Sequence, residues 1–245
     1  MTHPEMPNII TLLADRYESY PLFKHLVEWE TIIFSIIAVS ILSFIAISSS
    51  RNLRPLPGRL QASIEMLVGG FDDFTCGILG PKGRKLTPFI GTLFIYILFM
   101  NLLGIVPLMK SSTSSWSITL ALALSVFFYL QYTSIRELGL RGWIDHLMGN
   151  PRGILAASVI MPVFMLFMHV TSELIRPISL SLRLRSNIWG EDMLLAVLAG
   201  FGLKGLPLLL FSTLSSMLAS IVQAGVFCLL TTIYFALVLS HEEAH

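Results

Sequence analysis

Residues 173–192 place three arginines and three acids inside sequence that is otherwise apolar. The run is Glu173-Leu-Ile-Arg176-Pro177-Ile-Ser179-Leu180-Ser-Leu182-Arg183-Leu184-Arg185-Ser-Asn187, followed by Glu191-Asp192. Ile154 to His169 before it carries no formal charge, and Met193 to Leu203 after it is again apolar. A charge near the centre of a bilayer costs ~3 kcal/mol or several times that. A chain keeps such groups there when they act, so this segment is the expected functional centre.

The surrounding composition makes the membrane reading general. Hydrophobic residues form 54% of the 245 and charged residues 13%, against about 25% charged in soluble domains. A formal net charge of +1 argues against nucleic acid as a partner. Cys76 and Cys228 lie in apolar surroundings, which suggests neither a disulfide framework nor a metal site. No glycine-rich phosphate loop occurs, so no nucleotide site and no cofactor are expected.

The expected organisation is a single all-α, polytopic membrane domain. It would hold about five membrane-embedded helices, one interfacial amphipathic helix and a final pair of long, strongly tilted helices. Residues 1–30 read as a polar N-terminal segment without the basic region and cleavage site of a signal peptide, and it is expected to be retained. Residues 31–47 form a first span behind the interfacial anchor Trp29. Residues 60–76 bring Leu60, Ile64, Leu67, Val68, Phe71 and Phe74 onto one helical face opposite Gln61, Glu65 and Asp72. That pattern suits a helix lying on the membrane surface, weakened by Gly69-Gly70. Spans at 88–106 and 116–132 follow, separated by the Ser111–Ser115 loop.

The remainder, 154–240, divides at Gly200–Pro207. As continuous helices its two parts would run ~65 Å and ~50 Å, against a hydrocarbon core of ~30 Å. A steeply tilted pair accommodates that length; Pro162 and Pro177 would permit kinks. Basic residues set the orientation. Nine of them (Arg51, Arg54, Arg59, Lys82, Arg84, Lys85, Arg136, Arg141, Arg152) fall on one side, and Arg16, Lys24, Lys110 and Lys204 on the other. The positive-inside rule then puts the N-terminus outside and the C-terminus inside.

On a helix Arg183, Asn187 and Glu191 share a face, and His169, Glu173, Arg176 and Leu180 extend the stripe toward the N-terminus. Gln223 is one of few side chains of the last segment able to offer an amide to a buried charge. Arg176 could be structural, beside Pro177 and Glu173. Arg183 is harder to explain so, because its guanidinium stays protonated at any biological pH. An obligate cation in that place most simply serves an obligate anion, including one on another subunit. Arg185 points ~200° away from Arg183 around the helix, toward lipid headgroups or an acid on a neighbour. A proton-coupled secondary transporter is the alternative use of such charges, disfavoured by the absence of an internal repeat.

The run Arg-Pro-x-Ser-Leu-x-x-Arg-Leu-x-x-Asn resembles the signature of subunit a of F-type ATP synthases. Leu53-Arg-Pro55-Leu-Pro57-Gly58-Arg-Leu60-Gln61, the stretch Pro88 to Pro107, Gln223-Ala-Gly-Val-Phe227 and the His-Glu-Glu-Ala-His ending are similar to that family too. The resemblance implies a stator subunit of a rotary proton channel, without a catalytic site of its own. Its implied partners are a ring of c subunits, b-type peripheral stalk subunits, the catalytic head and the lipid bilayer. Arg183 falls on the family's essential arginine, with Asn187 and Gln223 as polar partners. Glu191, Asp192 and Asn101 fall in the outer half-channel; Glu173 and His169 fall in the inner one, with Arg176 secondary. Where some members carry a channel histidine this chain has Ser215 and Ser216, which shifts the relay toward Glu191 and Asp192. A bacterial inner membrane is the implied location, with an organelle inner or thylakoid membrane as the alternative.

Overall fold

A computed structural model describes residues 29–50, 58–106, 109, 111–147 and 157–240. The N-terminal segment up to residue 28, the loop holding Arg51 and Arg54, and the His241–His245 ending lie outside the described residues. Six α-helices follow one another among the described residues: α1 Glu30–Ser50, α2 Arg59–Leu79, α3 Thr87–Ile105, α4 Trp116–Leu147, α5 Ala157–Ala199 and α6 Leu206–Ser240. No strand occurs among the described residues. Short 3-10 turns at Gly80–Lys85, Ser112–Ser114 and Gly202–Gly205 join neighbours.

Among the described residues four helices are long and apolar enough to cross a membrane: α1, α3, the first part of α4, and α6. α5 is not among those four and carries six charges from Glu173 to Asp192. It nevertheless packs along both α4 and α6, so it shares their embedding. The protein is therefore an all-α, polytopic membrane protein.

Four helices build one core. Ile90, Leu93 and Ile97 of α3, Ala123, Val126 and Leu130 of α4, Leu180 and Leu184 of α5, and Ala224, Phe227, Cys228 and Phe235 of α6 are all buried together. Lipid tails are as apolar as these side chains, so close packing and interhelical hydrogen bonds, rather than escape from water, hold them. At one end Phe89 stacks on Tyr129, with 4.2 Å between ring centroids, and Phe235 closes on both edge-on. α1 joins from the side: the Ser35 and Tyr96 hydroxyls meet at 2.6 Å, and the Ser112 hydroxyl donates to the Thr31 carbonyl at 2.8 Å.

α2 is unbroken through Gly69 and Gly70 and leaves most of its length exposed, as an interfacial helix does. Its C-terminal part is tied down. Phe71 packs on Phe94 at 4.8 Å, and Asp72 accepts from Arg84 at 3.1 Å and from the Thr87 hydroxyl at 3.0 Å. That junction and the end of α6 define a basic end of the molecule. The turns at Ser112–Ser114 and Gly202–Gly205 define the opposite, hairpin end.

α4 runs past residue 132 to Leu147, but its backbone breaks at Gly139 (φ 69°, ψ 166°), a conformation essentially restricted to glycine. α5 passes through both Pro162 and Pro177 as one helix of 43 residues, ~65 Å at 1.5 Å per residue. α6, with 35 residues, is also longer than a bilayer core requires.

The Ser111–Ser115 loop between α3 and α4 is folded inward at its first three residues. Ser111, Ser112 and Thr113 are buried. Their hydroxyls make this possible: Thr113 donates to Asn101 Oδ1 at 2.7 Å, and the Ser111 and Thr113 oxygens lie 2.6 Å apart. Polar residues that satisfy one another can fold inward.

Candidate functional site: a charged helix pair

α5 and α6 form an antiparallel hairpin with a fixed register. Asn187 Nδ2 donates to Gln223 Oε1 at 3.0 Å. The Arg176 guanidinium lies over the Tyr234 ring, 5.0 Å from its centroid. These two contacts stand eleven residues apart on each helix, so the pairing holds over three turns.

The expected stripe on α5 follows this seam. Glu173, Arg176, Leu180, Asn187 and Glu191 are buried or half-buried along it, except that Asn187 keeps an exposed edge. Leu180 is 2% exposed and belongs to the core, because the neighbours of so long a helix change from level to level.

Arg183 sits at the margin of the stripe and is exposed. It makes no hydrogen bond or ion pair with the described residues. The same helix pair exposes apolar side chains as well: Leu182 and Trp189 on α5, and Leu214, Leu218 and Val222 on α6. Along the helix from Arg183 the exposed positions include Ser186, Asn187 and Gly190, small or short side chains that would let another helix approach closely.

Toward the hairpin end lies a polar region. Asn101 is 2% exposed and Gln223 4%. Continued from the Cys228 Sγ–Ile90 carbonyl contact of 3.6 Å, the antiparallel register of α3 on α6 sets Asn101 at about the level of Met217. Continued from Asn187–Gln223, the α5–α6 register sets half-buried Glu191 at about the level of Ala219. Buried Ser212, Ser216 and Ser220 line the same face of α6. Asn101 Nδ2, Gln223 Nε2 and the hydroxyls of Ser212 and Ser220 are buried without a partner among the described residues. Asp192 is half-buried beside Glu191, and Ser215 is exposed.

Toward the basic end, Gln131 Nε2 of α4 donates to Glu173 Oε2 at 2.6 Å. His169, half-buried, is one turn earlier on α5. Arg185 turns the other way, as its angle around the helix requires, and lies 5.3 Å from the centroid of the Trp116 ring. It thus makes a cation–π contact with an aromatic face on α4.

Sequence reading passed over Gln131, Tyr234, Thr113 and Ser220. A lone amide inside the apolar run of α4 was the available signal for Gln131. The other three gain meaning only once the helices are paired.

Between the two polar groups stands an apolar layer. Leu180 and Leu184 of α5 meet Ala224, Phe227 and Cys228 of α6 there, all buried.

Fold and site together define an integral membrane protein built around a charged, tightly registered helix hairpin. Comparison with known proteins identifies its family. The family described as ATP synthase A chain matches residues 32–236. ATP synthase subunit a of Protochlamydia amoebophila is 39% identical, over 98% of this chain and 91% of that protein. ATP synthase subunit a of Solidesulfovibrio magneticus is 35% identical over 97% and 98%. The subunit a of Nitratidesulfovibrio vulgaris strain DP4 is 35% identical over 89% of each. The chain belongs to the ATP synthase subunit a family and is a membrane subunit of that multi-subunit complex, engaged in proton transport and ATP synthesis.

Proposed function

We propose that the chain is the stator subunit of a rotary F-type ATP synthase that guides protons to and from a ring of c subunits through two offset half-channels. The observation that carries this reading is Arg183: a permanent cation on an exposed, closely approachable face, with no anion among the described residues paired to it. A carboxylate carried past it on a second membrane subunit would supply that anion. A fixed cation lowers a neighbouring carboxylate's pKa by roughly one to three units, which releases the proton. A guanidinium that never deprotonates also cannot relay a proton from one half-channel to the other.

The polar regions support the two paths. The outer one runs by Asn101, Glu191, Asp192 and Gln223 with the serine face of α6. Its partnerless buried atoms would each cost ~1–3 kcal/mol if dry, which favours ordered water there. The inner path runs by His169 and Glu173, with Gln131 added, and Arg176 braces it against Tyr234. The apolar layer at Leu184 and Phe227 separates the two within the chain, so transfer between them is routed over the exposed face beside Arg183. In the proposed setting the c-ring, b-type stalk subunits and catalytic head are the partners. The membrane is the bacterial inner membrane, with the N-terminus outside and the C-terminus inside.

Inverted vesicles carrying Arg183→Ala test the reading. ATP-driven proton pumping should be abolished while hydrolysis by the detached head stays intact, and Arg183→Lys should be severely impaired. Pumping at near wild-type rate in Arg183→Ala would overturn the assignment.

A further inference from the structure

At the basic end a cavity of about 120 Å³ opens between the Gly80–Lys85 turn and α4. A water needs roughly 10–15 Å³ on the same measure, so a phosphate group with attendant waters fits. Lys82 and Lys85 line it from the turn, and Tyr129, Tyr132, Thr133 and Arg136 from α4. Three cations thus line the space, and none of the described lining residues is acidic. The nearby carboxyl of Asp72 is already engaged by Arg84 and Thr87.

The α4 contributors recur at three- and four-residue spacing, so they share one helical face. Tyr129 is fixed by its stack on Phe89, which makes that wall of the cavity rigid. Tyr132 and Thr133 present hydroxyls that can donate to an anion. The face then continues away from the charges: Tyr132 is 60% exposed and Phe128, one turn further toward the middle of the helix, 64%. A cationic mouth leading onto an exposed apolar track matches one ligand shape, an acidic head with a hydrocarbon tail.

We propose that this cavity binds the phosphate head of an anionic phospholipid, whose acyl chain lies along α4 over Tyr132 and Phe128. Lys82, Lys85 and Arg136 surround the phosphate, with the Arg136 guanidinium able to make a bidentate contact. A free phosphate ion would share the head-group contacts but would have no use for the apolar track.

The test uses the intact complex in nanodiscs of phosphatidylglycerol and phosphatidylcholine, followed by native mass spectrometry of the released full-length chain. One phosphatidylglycerol should be retained in preference to phosphatidylcholine. Each charge removed should weaken retention about fivefold, so Lys85→Gln with Arg136→Gln should weaken it about 25-fold. The charge-conserving pair Lys85→Arg with Arg136→Lys should retain the lipid, which separates loss of charge from loss of fold. Inorganic phosphate at millimolar concentration should leave the lipid bound. Equal retention of phosphatidylcholine, or unchanged retention by the neutral pair, would overturn the proposal. Displacement of the lipid by phosphate alone would reassign the site to a soluble anion. A cross-link from Lys85→Cys to an acidic segment of another subunit, with no lipid retained, would reassign it to a protein contact.

Discussion

Replacing Gly104 by alanine would put a methyl group 2.6 Å from Ser111 Cβ, with the Ser111 backbone nitrogen at 3.2 Å and Cα at 3.3 Å. Carbon atoms rest at about 3.5–4.0 Å, so the loop must retreat by about 1 Å. Backbone is part of the obstacle, and no rotamer change of Ser111 relieves it. The retreat carries Thr113 away from Asn101, stretching their 2.7 Å hydrogen bond to about 3.7 Å, beyond the range of a real one. Overpacking costs about 1–3 kcal/mol and the lost buried hydrogen bond about another 1. The gain in helix propensity from glycine to alanine offsets up to about 1 kcal/mol. The net expectation is a destabilisation of about 1–3 kcal/mol, or roughly five- to more than a hundredfold in the opening equilibrium of the hairpin end. Hydrogen exchange of the amides at 111–115 in the purified complex reads this directly. Proton pumping should fall with it, because Asn101 loses its orienting partner. Adding Ser111→Gly removes the 2.6 Å contact and should restore most of the protection. Unchanged exchange in Gly104→Ala would refute the reasoning, since the loop would then be yielding without cost.

Three further outcomes are expected. Glu191→Gln and Asp192→Asn should each impair ATP synthesis less than the two together, since adjacent carboxylates can share the proton-carrying role; wild-type synthesis by the double variant across pH would remove both from the outer path. Thr113 is buried and unsuitable as a surface probe, so single cysteines belong at Ser117 and Phe201 for the hairpin end and at Pro81 and Arg136 for the basic end. The first two should react with an impermeant maleimide from outside and the last two only from inside, in a background lacking Cys76 and Cys228; labelling of Phe201→Cys from the inside would invalidate the topology. The Arg84 guanidinium and the Thr87 hydroxyl hold the Asp72 carboxyl below its ordinary value of 3.8. Its support for the α2–α3 junction is therefore fully present above about pH 4 and lost as pH falls through the lowered value. Proteolysis at 80–86 should accelerate on acidification below about pH 4 in the wild type. Asp72→Asn should be cleaved faster at neutral pH, with that acid step gone; an identical step in the variant would discount the pair.

Local pattern carried the architecture. Uncharged runs, one amphipathic stretch and the excess length of the final segments were enough to anticipate spans, surface helix and hairpin, since all three depend on residue spacing alone. The face holding Arg183 and Asn187 was legible for the same reason, and so was the opposite direction of Arg185. What Arg185 meets was not legible, because Trp116 becomes its neighbour only through the packing of α4 on α5. Gln131 and Tyr234 stayed silent for that reason: each matters through a residue at least 40 positions away. The inward fold of the serine-rich loop was not legible either, for a different reason. Hydroxyl-rich sequence normally stays at the surface, but here Asn101 gives it a buried acceptor, and pairing of that kind leaves no trace in composition.

The two cross-helix contacts of the α5–α6 hairpin also have a mechanical meaning. Arg183 lies seven residues from the Arg176–Tyr234 contact and four from the Asn187–Gln223 hydrogen bond, ~10 Å and ~6 Å along the axis. It is thus clamped on both sides, like a tooth on a beam pinned above and below its root. A single ~65 Å helix held only at its ends would bow under a sideways load, and the cation would wander with it. Two pins so close to it confine the bending to the outer stretches. The charge can then stay in register with whatever slides past, even while the ends of the hairpin flex with the bilayer.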